Sequence, residues 1–120
     1  SKETMDDTLL WNKENALKRM MGKQALLDKL TDLFLAQFPE AWTSAKTDVA
    51  HHNWAEVKSH AHTLKGSAAE LGLERLAQAL YTLERAAGAE DTALAAKARD
   101  EVDAIYEKTL PLLTYPEKRP

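Results

Sequence analysis

Apolar positions along this chain fall repeatedly at intervals of three and four, the spacing that turns one face of a helix toward a core. The run NKENALKRMM, from Asn12, is helix-competent and stops at Gly22. In KQALLDKLTDLFLAQF, Leu26, Leu30, Leu33 and Phe34 form one stripe with Leu27 and Phe38 beside it, and Pro39 is expected to break the helix. EAWTSAKTDVAHH then places Trp42, Ala45, Val49 and His52 on a common face. It ends near Asn53, a residue type suited to cap the run that follows.

That run, NWAEVKSHAHTLKGSAAEL, carries Val57, Ala61, Leu64, Ala68 and Leu71 at a four-three-four-three spacing, the seam of a helix packed on helices. Gly72 closes it as a C′ glycine. ERLAQALYTLERAA repeats the pattern with Leu76, Leu80, Leu83 and Ala87, and stops at Gly88. The last run, from about Asp91 to Leu110, turns Leu94, Ala98, Val102, Ile105 and Tyr106 inward and ends at Pro111. No strand-like alternation of any length and no internal repeat is present. Short connections make sequential helices antiparallel neighbours, so the expected fold is all-α: an up-and-down four-helix bundle with an additional short N-terminal helix. Residues 1–8 read as a lead or linker, 9–113 as the bundle and 114–120 as a polar tail.

Composition changes this picture little. The 120 residues fit one domain with a real core, 44% are hydrophobic and 29% charged, and the formal charge of −3 offers no electrostatic footprint for nucleic acid. With no cysteine, disulfides, thiol nucleophiles and thiolate metal sites are excluded. No apolar run approaches the roughly 20 residues that a spanning helix needs, and the start of the chain lacks the apolar region of a signal peptide. A cytoplasmic module without direct membrane contact of its own is the expectation.

The chemistry concentrates in HAHTLKGSAAELG, His60 to Gly72. With Leu64 at zero and a turn of about 100° per residue, His60 falls near about −40° and His62 near about 160°. His60 borders the core and reads as a packed or partly satisfied histidine. His62 points away from its own helix's seam, with Lys58, Ser59, Lys65, Gly66 and Ala69 around it, because residues three and four apart are surface neighbours. Gly66 stands one turn after His62, where an interior glycine costs up to about 1 kcal/mol relative to alanine. Access is the compensating reason: with no side chain there, a phosphoryl group or a partner's loop can reach the imidazole. Ala69 extends the low floor, and the Lys65 ammonium can neutralise an anion on the ring. A lone exposed histidine is ordinarily only a surface residue; lysine at +3 with glycine at +4 is a more specific arrangement.

The run AHTLKGSAAELGLERLAQALYTLE, Ala61 to Glu84, closely resembles the signature of histidine-containing phosphotransfer (HPt) domains. That signature is a histidine, any residue, an apolar residue, Lys-Gly-Ser, then Leu-Gly and a later Leu-Glu. ALKRMMGKQALLDKLTDLFLAQFPEAW is similar to the family's N-terminal half, so the resemblance spans about residues 9 to 110. It implies a phosphorelay intermediate that accepts a phosphoryl group from a receiver domain's phospho-aspartate and passes it to another receiver's aspartate. His62 would then be the phosphorylated nucleophile through Nε2, its other ring nitrogen held by a hydrogen bond. Lys65 would stabilise phosphoryl charge and Gly66 would give clearance. Ser67, near about −60° on the wheel, points toward the seam and is assigned to helix-internal bonding.

If the two helices around Gly72 form a hairpin, His62 lies level with Thr82 to Glu84. Glu84 sits just off the Leu76–Leu80–Leu83 stripe, and the family often has Gln or Glu there. It is either an acceptor for a ring N–H of His62 or a solvated surface glutamate. No glycine-rich nucleotide loop and no acidic cluster suited to Mg²⁺ is present. The domain is therefore expected to need no cofactor and to lack ATP-dependent kinase activity, with Mg²⁺ supplied by the receiver. The docking surface is expected to be a small apolar patch beside His62, with Leu27 and Phe34 as candidates.

Two other readings compete. His51, His52, His60 and His62 fall close together, but His60 and His62 diverge by about 160° on the wheel, which does not suit a zinc site. A helical adaptor that binds partners without chemistry is the other. Acyl transfer by Ser67 fails because the serine and His62 face different sides. The missing initiator Met and the acidic lead-in favour a module of a hybrid sensor kinase, tethered in the cytoplasm through its parent, over a free-standing carrier.

Overall fold

The computed structural model describes residues 10–114, and the expected lead at residues 1–8 lies outside them. Five helices follow one another: α1 Lys13–Arg19, α2 Gln24–Ala50, α3 Trp54–Glu70, α4 Glu74–Gly88 and α5 Thr92–Thr114. Among the described residues there is no strand. Helices α2 to α5 pack each on the next, and α5 returns to α2, which closes a four-helix bundle with α1 as the short extra helix. None of these helices is long and apolar enough to cross a membrane.

Pro39 does not break the chain into two helices. It lies inside α2, which runs unbroken for 27 residues. The reason is packing: Leu27, Thr31, Phe34, Phe38, Trp42, Ala45 and Val49 are buried in one phase across the proline, while Pro39 itself is exposed. The hydrogen bond a proline removes is therefore lost on the side that water reaches. The same continuity corrects the expected stripe. Leu26 and Leu33 are exposed, and the buried line passes through Leu27 and Thr31 instead. Thr31 fits an apolar position because its hydroxyl donates to the Leu27 carbonyl at 2.7 Å.

Pro111 likewise sits within α5, so Thr114 belongs to the helix and not to the tail; residues 115–120 lie outside the described residues. The inward face of α5 is Ala95, Ala98, Val102, Thr109 and Leu113, with Leu94 exposed and Ile105 and Tyr106 half-buried. Tyr106 stacks on Phe38 with ring centroids 4.5 Å apart, and Trp42 Nε1 donates to Asp103 at 2.7 Å, joining α5 to α2.

The α3 seam of Val57, Ala61, Leu64 and Ala68 is buried as its spacing requires. Asn53 precedes α3, but its side chain donates to Asp48 at 3.3 Å and does not cap the helix. His52, just before it, has φ 57° and is exposed, so it leaves the expected Trp42–Val49 face. At the far end Gly72 has φ 79°, which reverses the chain into α4. Gly88 instead remains helical, and the turn into α5 is made through Glu90 at φ 52°.

The α3–α4 turn is clasped by the segment before α2. Asn12 N–H donates to the Gly72 carbonyl at 2.7 Å, Trp11 Nε1 to Leu71 at 3.0 Å and Arg19 to Ala69 at 2.6 Å. These bonds satisfy carbonyls that the end of α3 would otherwise leave unpaired. The clasp fixes the two helices that carry the site.

Candidate functional site

On α3, the seam residues Ala61 and Leu64 flank His62 in sequence, so burial of the seam forces the imidazole outward. Its side chain is 67% exposed. Gly66, one turn later, is also exposed, and a methyl group built there would meet nothing within 4 Å. Ala69, Lys58 and Ser59 are exposed around it. The imidazole thus stands over an open floor on the solvent face of α3.

Across the hairpin, α4 brings Glu84 to the ring. His62 Nδ1 lies 3.0 Å from Glu84 Oε2, and Lys65 Nζ donates to Glu84 Oε1 at 2.8 Å. One carboxylate therefore engages both α3 side chains. The hydrogen bond from Lys65 holds the Glu84 carboxyl below its ordinary value; the contact with His62 acts in the same direction, and partial burial opposes both. An ionised carboxylate only accepts, so the ring proton belongs on Nδ1 and the lone pair on Nε2.

Tyr81 was not singled out in the sequence. Lys65 Nζ lies 5.0 Å from the centre of its ring and the Arg85 guanidinium 5.9 Å, so a half-exposed aromatic face sits beside the Lys65–Glu84 pair. Its spacing was the available signal: Tyr81 stands three residues before Glu84 on a helix, where side chains are neighbours.

His60 occupies a different environment. Its Nδ1 approaches Asp48 Oδ2 at 3.0 Å without hydrogen-bond alignment, on the α2 side of α3. His52 stacks on Trp54 with centroids 5.2 Å apart. Among the described residues, no three His, Asp or Glu side chains gather where they could hold a metal ion. Ser67 is exposed and not turned into the seam, though its hydroxyl does face the Thr63 carbonyl at 3.4 Å.

Leu27 is corrected as a docking residue: it is fully buried in the core and cannot meet a partner. Phe34 is also buried, packed on Phe38 at 5.0 Å, and only borders a groove between α2 and α3. The apolar surface in that groove comes from Leu30, Leu33 and Ala41 of α2, facing Thr63 and Leu64 of α3. Thr63 follows His62 in sequence, so the groove runs along the face of α3 adjoining the one that carries the imidazole.

A protein-family model described as Hpt domain matches residues 29–109. No curated protein and no solved structure matches the chain.

Proposed function

Because this chain belongs to the Hpt domain family, whose members carry phosphoryl groups on histidine in phosphorelays and meet receiver domains, we propose that His62 is the carrier. The observation that supports this most directly is the ring's environment: Nδ1 is engaged by Glu84 at 3.0 Å while the side chain is 67% exposed. That arrangement leaves the Nε2 lone pair as an available nucleophile.

In the transfer, the Nε2 lone pair attacks the phosphorus of a receiver's aspartyl phosphate. The N–P bond forms as the P–O bond breaks, and the receiver's carboxylate leaves with the electron pair. Nδ1 keeps its proton, so this chain needs no general base. The ring gains positive charge, which the ionised Glu84 offsets. Lys65 supplies an ammonium to the phosphoryl oxygens, and the gap at Gly66 admits them. Passing the group onward is the same step reversed, with a second receiver's aspartate attacking phosphorus. Mg²⁺ and the aspartate are the receiver's contribution, because phosphoryl transfer asks mainly for positioning and charge neutralisation.

The receiver docks across the α2–α3 groove, where Leu30, Leu33 and Ala41 give apolar contact, and reaches His62 from the adjoining face of α3. Such a small patch suits a transient encounter. A receiver within a parent hybrid kinase and a separate one would meet the same surface.

The test is incubation with phosphorylated receivers of the wild type, His62→Gln and His60→Gln. Acid-labile, base-stable label on the wild type and His60→Gln, and none on His62→Gln, is expected. Label that survives in His62→Gln would sink the assignment; absence of label from every chain with every receiver would favour a non-catalytic adaptor.

A further inference from the structure

Lys65 is held from two directions, and only one of them is a charge. Its ammonium donates to Glu84 Oε1 at 2.8 Å and lies 5.0 Å from the centre of the Tyr81 ring. Only 26% of the Lys65 side chain is exposed, so much of its freedom is already lost. Tyr81 and Glu84 lie three apart on α4, which puts the ring and the carboxylate on adjoining surface facing α3. The ring is itself flanked on α4 by Arg85, whose guanidinium lies 5.9 Å from its centre.

We propose that Tyr81 is a positioning residue of the phosphoryl site, which holds Lys65 by its ring face so that the ammonium stays beside His62 as the phosphoryl group arrives. The inference rests on the phosphotransfer reading of His62. Its physical basis is that an arriving phosphoryl group competes with Glu84 for the same ammonium. A lysine supported by the carboxylate alone would have to leave one anion for the other, with its flexible stem unconfined. The negative face of an aromatic ring attracts the ammonium without competing for its hydrogen-bond geometry. Lys65 then turns between two anions and does not swing. The phenolic hydroxyl has no part in this, so phenylalanine should serve as well as tyrosine. Leucine keeps bulk and an apolar character but supplies no ring face.

The experiment compares the full chain with Tyr81→Phe and Tyr81→Leu, using potassium phosphoramidate as a small-molecule donor that needs no docking surface. Loading of the chain is followed by ³¹P NMR, and the Lys65 ε-methylene protons by ¹H–¹³C NMR, where an overlying ring shifts them upfield. The shifted resonance and the loading rate should persist in Tyr81→Phe. In Tyr81→Leu the shift should vanish and loading should slow by roughly three-fold, the scale of one partly exposed cation–π contact. A Tyr81→Leu chain that loads at the wild-type rate would overturn the proposal, whether or not the resonance moves. So would a Tyr81→Phe chain as slow as the leucine variant. Loading of His62→Gln at the wild-type rate would instead sink the phosphotransfer reading, and the Lys65 resonance would still report whether the ring holds the lysine.

Discussion

Glu84 Oε2 sits 3.0 Å from His62 Nδ1 although the two residues are 22 apart in sequence. The contact exists because the α3–α4 hairpin turns at Gly72 and brings the two levels together, and because Lys65 holds the other carboxylate oxygen at 2.8 Å. The imidazole therefore has one engaged nitrogen and one free one, and its tautomer is determined from the neighbouring helix.

Replacing Glu84 by alanine should release that tautomer. In ¹⁵N NMR, His62 of the wild type is expected to carry its proton on Nδ1, whereas in Glu84→Ala the Nε2–H form should predominate, as it does in free imidazole side chains. Phosphoryl transfer should fall by about ten-fold or more, on the scale of a hydrogen bond to a charged group. Glu84→Gln, which keeps an acceptor but no charge, should fall between the two. An unchanged ¹⁵N pattern in Glu84→Ala would remove the carboxylate from the mechanism.

The same carboxylate makes a signed statement about acid. Its folded value is depressed, chiefly by Lys65, below the ordinary glutamate value of 4.5. It therefore stabilises the fold fully above that pH, and the contribution is lost as pH falls from about 4.5 through the lower folded value. Chemical denaturation of wild type and Glu84→Gln should show a stability gap in favour of the wild type that is constant near neutrality and closes as pH falls through that window. A gap that widens in acid would reverse the assignment.

Gly66 separates folding from function. Nothing lies within 4 Å of a methyl group placed there, so Gly66→Ala should stabilise the helix by up to about 1 kcal/mol. Gly66→Leu should fold as well but put a branched side chain over the floor beside His62. A raised melting temperature for the alanine variant and a transfer rate lowered at least ten-fold for the leucine variant are expected. Equal transfer in glycine and leucine forms would mean that the gap is not an access route.

Gly72 should behave in the opposite way. Its φ of 79° suits glycine, and an added Cβ would collide with the Asn12 carbonyl oxygen. Gly72→Ala is expected to destabilise the chain by about 2 kcal/mol or more, measured by denaturant unfolding. Because the clasp through Asn12, Trp11 and Arg19 meets the same turn, the variant should also weaken the His62–Glu84 register and slow transfer.

On the proposed docking face, Leu33 is 48% exposed and borders the groove, whereas Leu27 is fully buried. Leu33→Asp should therefore raise the concentration of receiver needed for half-maximal transfer several-fold at unchanged thermal stability. Leu27→Ala should lose about 2–5 kcal/mol of stability, as large-to-small core substitutions do. If Leu33→Asp left receiver dependence untouched, the partner would have to approach from another side.

How much of this could be read before any coordinates is clearest on α3. Val57, Ala61, Leu64 and Ala68 repeat at helical spacing and are buried, so the outward direction of His62 followed from its own helix. The open position at Gly66 followed in the same way. A helical period of 3.6 residues is local, and it fixes direction for residues within a few turns.

Elsewhere the local rules met longer-range packing. Pro39 and Pro111 read as breaks because a proline removes one hydrogen bond, yet both lie within helices whose buried faces continue on either side. Apolar residues in α2 could be assigned to more than one stripe, and the phase was decided by Phe38 and Trp42 packing against Tyr106 and Asp103 of α5. That choice buried Leu27 and exposed Leu33. The sequence by itself thus determined an all-helical chain and an outward imidazole with a low floor, because both depend on periodicity within one helix. Only the tertiary structure decided that Glu84 engages Nδ1, that Tyr81 lies under Lys65 and which leucines a partner can reach. Those contacts join residues from different helices, and their alignment is set by how the whole bundle packs.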